Sequence, residues 1–206
     1  MNKDKILFPF YILSHPFDGF YEVRHRGRGS VAVALVLVFL FGLSYSIARG
    51  YAGFVVNDIN PRTVNSVLEV LGVMLAAILF AVANWSITCL MEGEGRFKDI
   101  LTVTGYSMLP MVLTFIPATI LSWFIAADEE AIYHLINDVS VVFFVVLLVI
   151  GIMTVHGYSF SKTLLTFVLT FVSIMIIIFI VLLLIYLVNQ VYLFLEGVYT
   201  ELILRV

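Results

Sequence analysis

The sequence predicts an all-α membrane protein: a bundle of five transmembrane helices preceded by an interfacial amphipathic helix. Composition, long apolar runs and the placement of Lys and Arg each point there. Of 206 residues, 62% are hydrophobic and 12% charged, and the mean hydropathy is +1.11. Soluble domains are about 45–50% apolar and about 25% charged, so a water-soluble globule of this chain lacks the charge to cover its surface. The net charge of −3 is too small to recruit a strongly charged partner, and no nucleic-acid binding is expected. A single cysteine, Cys89, excludes an intramolecular disulfide and any multi-cysteine metal site.

Residues 1–30 form a cytoplasmic or interfacial segment, and residues 31–206 the transmembrane domain. Pro16 suits the first position of a helix, with Asp18 in the first turn to complement its dipole. Phe17, Phe20 and Tyr21 then fall at i, i+3 and i+4, one aromatic face suited to lipid headgroups. Arg24, Arg26 and Arg28 follow, where anionic cytoplasmic lipid attracts them. Two readings stay open here: a collar that only anchors the chain, or a docking surface using Phe17, Phe20 and Tyr21.

Five apolar runs follow, over residues 31–47, 67–89, 100–124, 139–155 and 163–187, the last extensible to 195. Each approaches the roughly 17–25 residues that cross a hydrocarbon core of about 30 Å as a helix. Lipid forces the helical solution on them, because every backbone polar group must be satisfied within the segment. The first run begins behind a basic collar and lacks a small-residue cleavage site, so it is expected to be a retained span. Eight Lys and Arg lie in the N-terminal segment and the second and fourth connections, against three on the opposite side. The third connection carries only acids, Asp128, Glu129, Glu130 and Asp138. The positive-inside rule therefore puts the N-terminus in the cytoplasm and the C-terminus outside.

The second connection, Glu92-Gly93-Glu94-Gly95-Arg96-Phe97-Lys98-Asp99, is the richest in charge. It lacks the Gly-Lys-Ser/Thr ending of a phosphate cradle. Its carboxylates suit either a hard cation or, more ordinarily, a solvated turn pairing with its own Arg96 and Lys98. Glu92, Glu94, Arg96, Phe97 and Lys98 are candidate partner contacts. The third run contains Pro110 and Pro117, seven apart and near one face, which implies a kinked helix. Asn84, Gly105, Tyr106, Ser107, Pro110, Thr114 and Pro117 are candidates for helix packing or for lining a path. Residues 97–102 and 160–166 also open their helices alike, a hint of two equivalent hairpins. Ionisable groups deep in the spans are nearly absent, which argues against a proton-coupled pump. The four histidines, His15, His25, His134 and His156, show no metal-ligand spacing and no nucleophile partner. Catalytic residues, cofactor and metal are all expected to be absent.

Gly105-Tyr106-Ser107-Met108-Leu109-Pro110 resembles the Gly-Tyr-x-x-Leu-Pro segment of the Yip1 domain family. The charged turn before it, and Pro16-Phe17-Asp18-Gly19-Phe20, resemble that family's elements ahead of its third and first spans. The resemblance implies a non-enzymatic helical membrane protein. Eukaryotic members sit in ER and Golgi membranes and contact small GTPases through a longer cytoplasmic region. The tail of about thirty residues in this sequence departs from that pattern, which speaks against GTPase binding and favours a bacterial relative in the plasma membrane. The expected function is a membrane scaffold or accessory subunit, its partner a membrane protein, such as one of a solute-uptake system, or a second copy of itself. The alternative is a small transporter or permease with the kinked third helix lining its path.

Overall fold

The computed structural model describes residues 3–57 and 59–204; Arg205, counted above, lies outside them. They are 84% helical, with no strand among them. Two short helices, α1 (Lys3–Ser14) and α2 (Pro16–His25), precede the spans. The spans are α3 (Val31–Tyr51), α4 (Ser66–Leu90), the pair α5 (Phe97–Ser107) and α6 (Leu109–Leu121), α7 (Glu130–His156) and α8 (Phe160–Leu204). Five stretches are thus long and apolar enough to cross a membrane, at the places the apolar runs marked.

The third span is interrupted at Met108, which closes α5 and opens α6. Pro110, in the first turn of α6, brings no N–H of its own, so the chain breaks where one turn of hydrogen bonding is already forfeited. Thr114 Oγ1 returns a bond to the Pro110 carbonyl at 3.0 Å. The stripe shared by the two prolines is covered at one end only: Pro110 is buried and Pro117 is exposed.

Three boundaries depart from expectation. α1 was not anticipated, and it holds Pro9 in its interior. Phe8 and Ile12 on either side of it are buried in the main core, and that burial offsets the lost bond. α7 starts at Glu130, so the acidic stretch up to Asp138 is helix and not loop. Its charges sit in the exposed first turns, where Glu130 and His134 pair at i,i+4. α8 runs on to Leu204, 45 residues in all.

The core centres on α5. Nine of its residues, Asp99 through Ser107, are buried, and it packs against α3, α4 and α7. Gly105 makes this possible: a Cβ there would stand 2.5 Å from the Ala34 carbonyl oxygen on α3, so the two backbones meet with no side chain between them. α8 holds to the bundle mainly through α4, and only Thr163, Thr166 and Thr170 of it are buried. The similar openings of α5 and α8 therefore lead to unlike places, one central and one peripheral.

The N-terminal helices share this core. Ile12 and Phe20 are fully buried alongside Ile100, Tyr106, Leu147 and Ile152. Phe20 is thereby removed from the aromatic docking face expected of it. Its neighbours at that face, Phe17 and Tyr21, are 54% and 52% exposed. The three do not act as one surface because α2 lies against α7, and the Phe20 ring fills the space that Gly151 leaves open. Phe20→Ala is expected to destabilise the fold by about 3–5 kcal/mol, while Phe17→Ala changes it by less than about 0.5 kcal/mol. Thermal unfolding of both variants in mild detergent checks the contrast.

Candidate functional site

Charge and hydrogen-bonding capacity concentrate at one end of the bundle, around the turn between α4 and α5. α4 finishes with Glu92 in the left-handed region, φ 56°, and Gly93 N–H bonds back to the Thr88 carbonyl at 2.8 Å, the pattern of a Schellman cap. Asp99 then anchors the start of α5. Its carboxylate accepts from Arg96 N at 3.2 Å and Arg96 Nε at 2.9 Å. It also meets Arg24 of α2 at 3.4 Å. Asp99 is 3% exposed, and its burial is compensated by its two guanidinium partners and the backbone donor.

A second tie comes from the other side. His156, the last residue of α7, is buried, and its Nδ1 accepts the Gly95 N–H at 3.2 Å. That contact leaves the proton of the neutral ring on Nε2, which is buried without a partner. Glycine is required opposite it: a Cβ at Gly93 would lie 2.5 Å from Nδ1, and one at Gly95 2.6 Å from Cε1. The ring stacks on Tyr158 at 5.2 Å. The Tyr158 hydroxyl donates to the Met91 carbonyl at 3.2 Å, a third tie on the same turn. Burial, with Cys89 and Glu92 nearby, pushes the Tyr158 phenol above its ordinary pKa, so it stays protonated and keeps donating. Lys162 caps the ring at 4.4 Å.

The sequence-derived residues divide across this geometry. Phe97 turns inward onto Trp85, ring centres 5.9 Å apart. Arg96 serves Asp99. Glu92, Glu94 and Lys98 are exposed, and none of the three forms an ion pair among the described residues. Of the self-pairing expected of the turn, the Arg96–Asp99 half is present and the Lys98 half is not; the remaining ties come from Arg24, His156 and Tyr158. Sequence reading missed that trio. The available signals were the two glycines at alternate positions and the basic collar next to Asp99 in the fold. Among the described residues, no three His, Cys, Asp or Glu side chains gather as metal ligands.

The packing and path candidates are spread over separate interfaces. Asn84 is fully buried and donates to Thr170 Oγ1 of α8 at 3.0 Å. The Tyr106 hydroxyl receives Ser30 N–H at 2.9 Å, fixing the start of α3. Ser107 is buried with its Oγ unpartnered. Pro110 and Thr114 line a 350 Å³ apolar cavity against α7. At the far end of the bundle, Arg49 pairs with Glu69 at 3.1 Å, so the carboxylate in the first turn of α4 is neutralised.

A multi-pass helical bundle whose polar residues join helices, with a braced turn at one end, is the architecture of an integral membrane protein. The chain belongs to the Yip1 domain family, whose model matches residues 10–195. That match crosses residue 30 without interruption, in keeping with the core shared by α2 and the spans. The family is one of membrane proteins not known as enzymatic. No curated protein and no solved structure matches the chain.

Proposed function

We propose that the protein is a non-catalytic membrane scaffold or accessory subunit that holds a membrane-protein partner at the α4–α5 turn, on the cytoplasmic face. One observation carries this reading. The turn is tied to α2, α7 and the α7–α8 connection by three independent contacts, yet Glu92, Glu94 and Lys98 point outward from it without ionic partners of their own. A rigid frame that presents free charges is suited to recognition, because little conformational entropy is lost on binding. The dispersal of Asn84, Tyr106, Ser107 and Thr114 over separate interfaces supports packing for them in preference to a shared transport path.

A photo-crosslinking side chain placed at Glu94 or Lys98 in native membranes is expected to give one discrete adduct. Glu92→Lys combined with Glu94→Lys should reduce a Lys98 adduct at least about tenfold, since like charges across an interface oppose docking. Absence of any adduct at both positions, with the chain purifying alone from the same membranes, contradicts the proposal.

A further inference from the structure

α8 is too long for the membrane it enters. It starts beside the α4–α5 turn, where Thr166 meets Met91, and runs antiparallel to α4, where Thr170 meets Asn84. Counting about 18 residues along both helices from the Asn84–Thr170 bond brings residue 188 level with Ser66, the first residue of α4. Sixteen more residues of α8 follow, to Leu204, about 24 Å of helix at about 1.5 Å per residue. The apolar stretch 163–195 alone spans about 50 Å. Fitting it into a core of about 30 Å needs a tilt of about 50°, beyond the usual range of about 0–40°.

The character of the helix changes where the excess begins. From Thr163 to Ile185 it is apolar on every side except the Thr stripe that faces α4. From Tyr186 on, the polar residues share one arc: Tyr186, Asn189, Gln190, Glu196, Thr200 and Glu201 fall within about 140° at 100° per residue. Leu193 and Leu204 are the exceptions on that side. Gln190 donates to the Tyr186 hydroxyl at 3.0 Å, as neighbours on one face must. The opposite arc carries Val188, Tyr192, Leu195, Val198, Tyr199 and Leu202, all exposed.

We propose that residues 186–204 of α8 form an interfacial helix that binds the lipid surface on the membrane face bearing the Pro61–Thr63 turn. The helix bends between Leu187 and Gln190, lays its apolar arc into the headgroup boundary, and turns Asn189, Glu196 and Thr200 to water. The two acids on the polar arc fit neutral, zwitterionic headgroups and disfavour an anionic surface. The amphipathic division decides for lipid over a second copy of the chain, because a helix paired inside the bilayer has no need of a charged side.

The test uses the full chain with Cys89→Ala, reconstituted in phosphatidylcholine vesicles. Single spin labels are attached at Asn189→Cys, Glu196→Cys, Thr200→Cys, Tyr192→Cys, Leu195→Cys and Tyr199→Cys. All six positions are exposed, so folding does not depend on them. The first three are expected to collide with a water-soluble relaxing agent at least about fivefold more than the last three, which collide instead with oxygen dissolved in lipid. Uniform contact with water at all six sites would mean a straight helix projecting into solvent. Protection from both reagents on the apolar arc would mean a protein partner, this chain's second copy included. Either result overturns the proposal.

Discussion

Gly105→Ala is expected to loosen the whole bundle. The added methyl would meet the Ala34 carbonyl oxygen at 2.5 Å and the Ala34 carbonyl carbon and Cα at 2.7 Å. These are backbone atoms in the first turn of α3, so no rotamer change relieves the contact. α3 and α5 must move apart, and α5 is the element on which α4 and α7 also rest. Overpacking in a well-filled core commonly costs about 1–3 kcal/mol, and the upper end applies where only backbone can yield. Gly72 provides the control. It lies in α4 with nothing within 4 Å of an added Cβ, so Gly72→Ala should be neutral or slightly stabilising through helix propensity. Unfolding of the two variants in one detergent, followed by the fluorescence of Trp85 and Trp123, separates a local clash from a general intolerance of substitution.

Asp99→Ala is expected to be the most damaging change of a charged residue. The carboxylate is buried and serves Arg24, Arg96 and a backbone N–H at once. Removing it leaves the Arg24 guanidinium, itself only 21% exposed, beside a vacancy with no counter-charge. Breaking such a pair from one side costs about 3–5 kcal/mol when both partners are deeply buried. The partial exposure of the two arginines reduces that to about 2–3 kcal/mol. Asp99→Asn should recover part of the loss, because an amide oxygen still accepts from the Arg96 backbone. A loss of stability equal to that of an exposed control such as Glu94→Ala would show that the pair does not brace the turn.

The spans were legible because lipid demands two things of a segment, length and unbroken apolarity, and both are visible in a string of residues. The break in the third span was legible through Pro110. Elements at the membrane edge were harder to read. Four acids fall within the eleven residues 128–138, which looks like a loop, yet α7 already runs from Glu130 through Asp138 because the charged side chains reach solvent. α1 was hidden because what sustains it across Pro9, the burial of Phe8 and Ile12, depends on elements far away in sequence. The bracing of the charged turn was hidden for the same reason. Asp99 announces a helix cap, but its choice of Arg24, and the seat of Gly95 on His156, depend on how α2 and α7 dock. The Phe17, Phe20 and Tyr21 face failed in a related way: spacing places three rings on one side of a helix without saying which ring the bundle takes.

The central claim is that five crossings, the third interrupted at Met108, carry the chain through one bilayer. Single cysteines in a Cys89→Ala background at Asn60, Glu94, Glu129 and Ser159 test it in sealed right-side-out vesicles with an impermeant maleimide. The account requires Asn60 and Glu129 to label from outside and Glu94 and Ser159 only after the membrane is opened. Labelling of Glu94 and Glu129 from the same side would mean that α5 and α6 form a re-entrant hairpin, and the five-crossing bundle would be refuted.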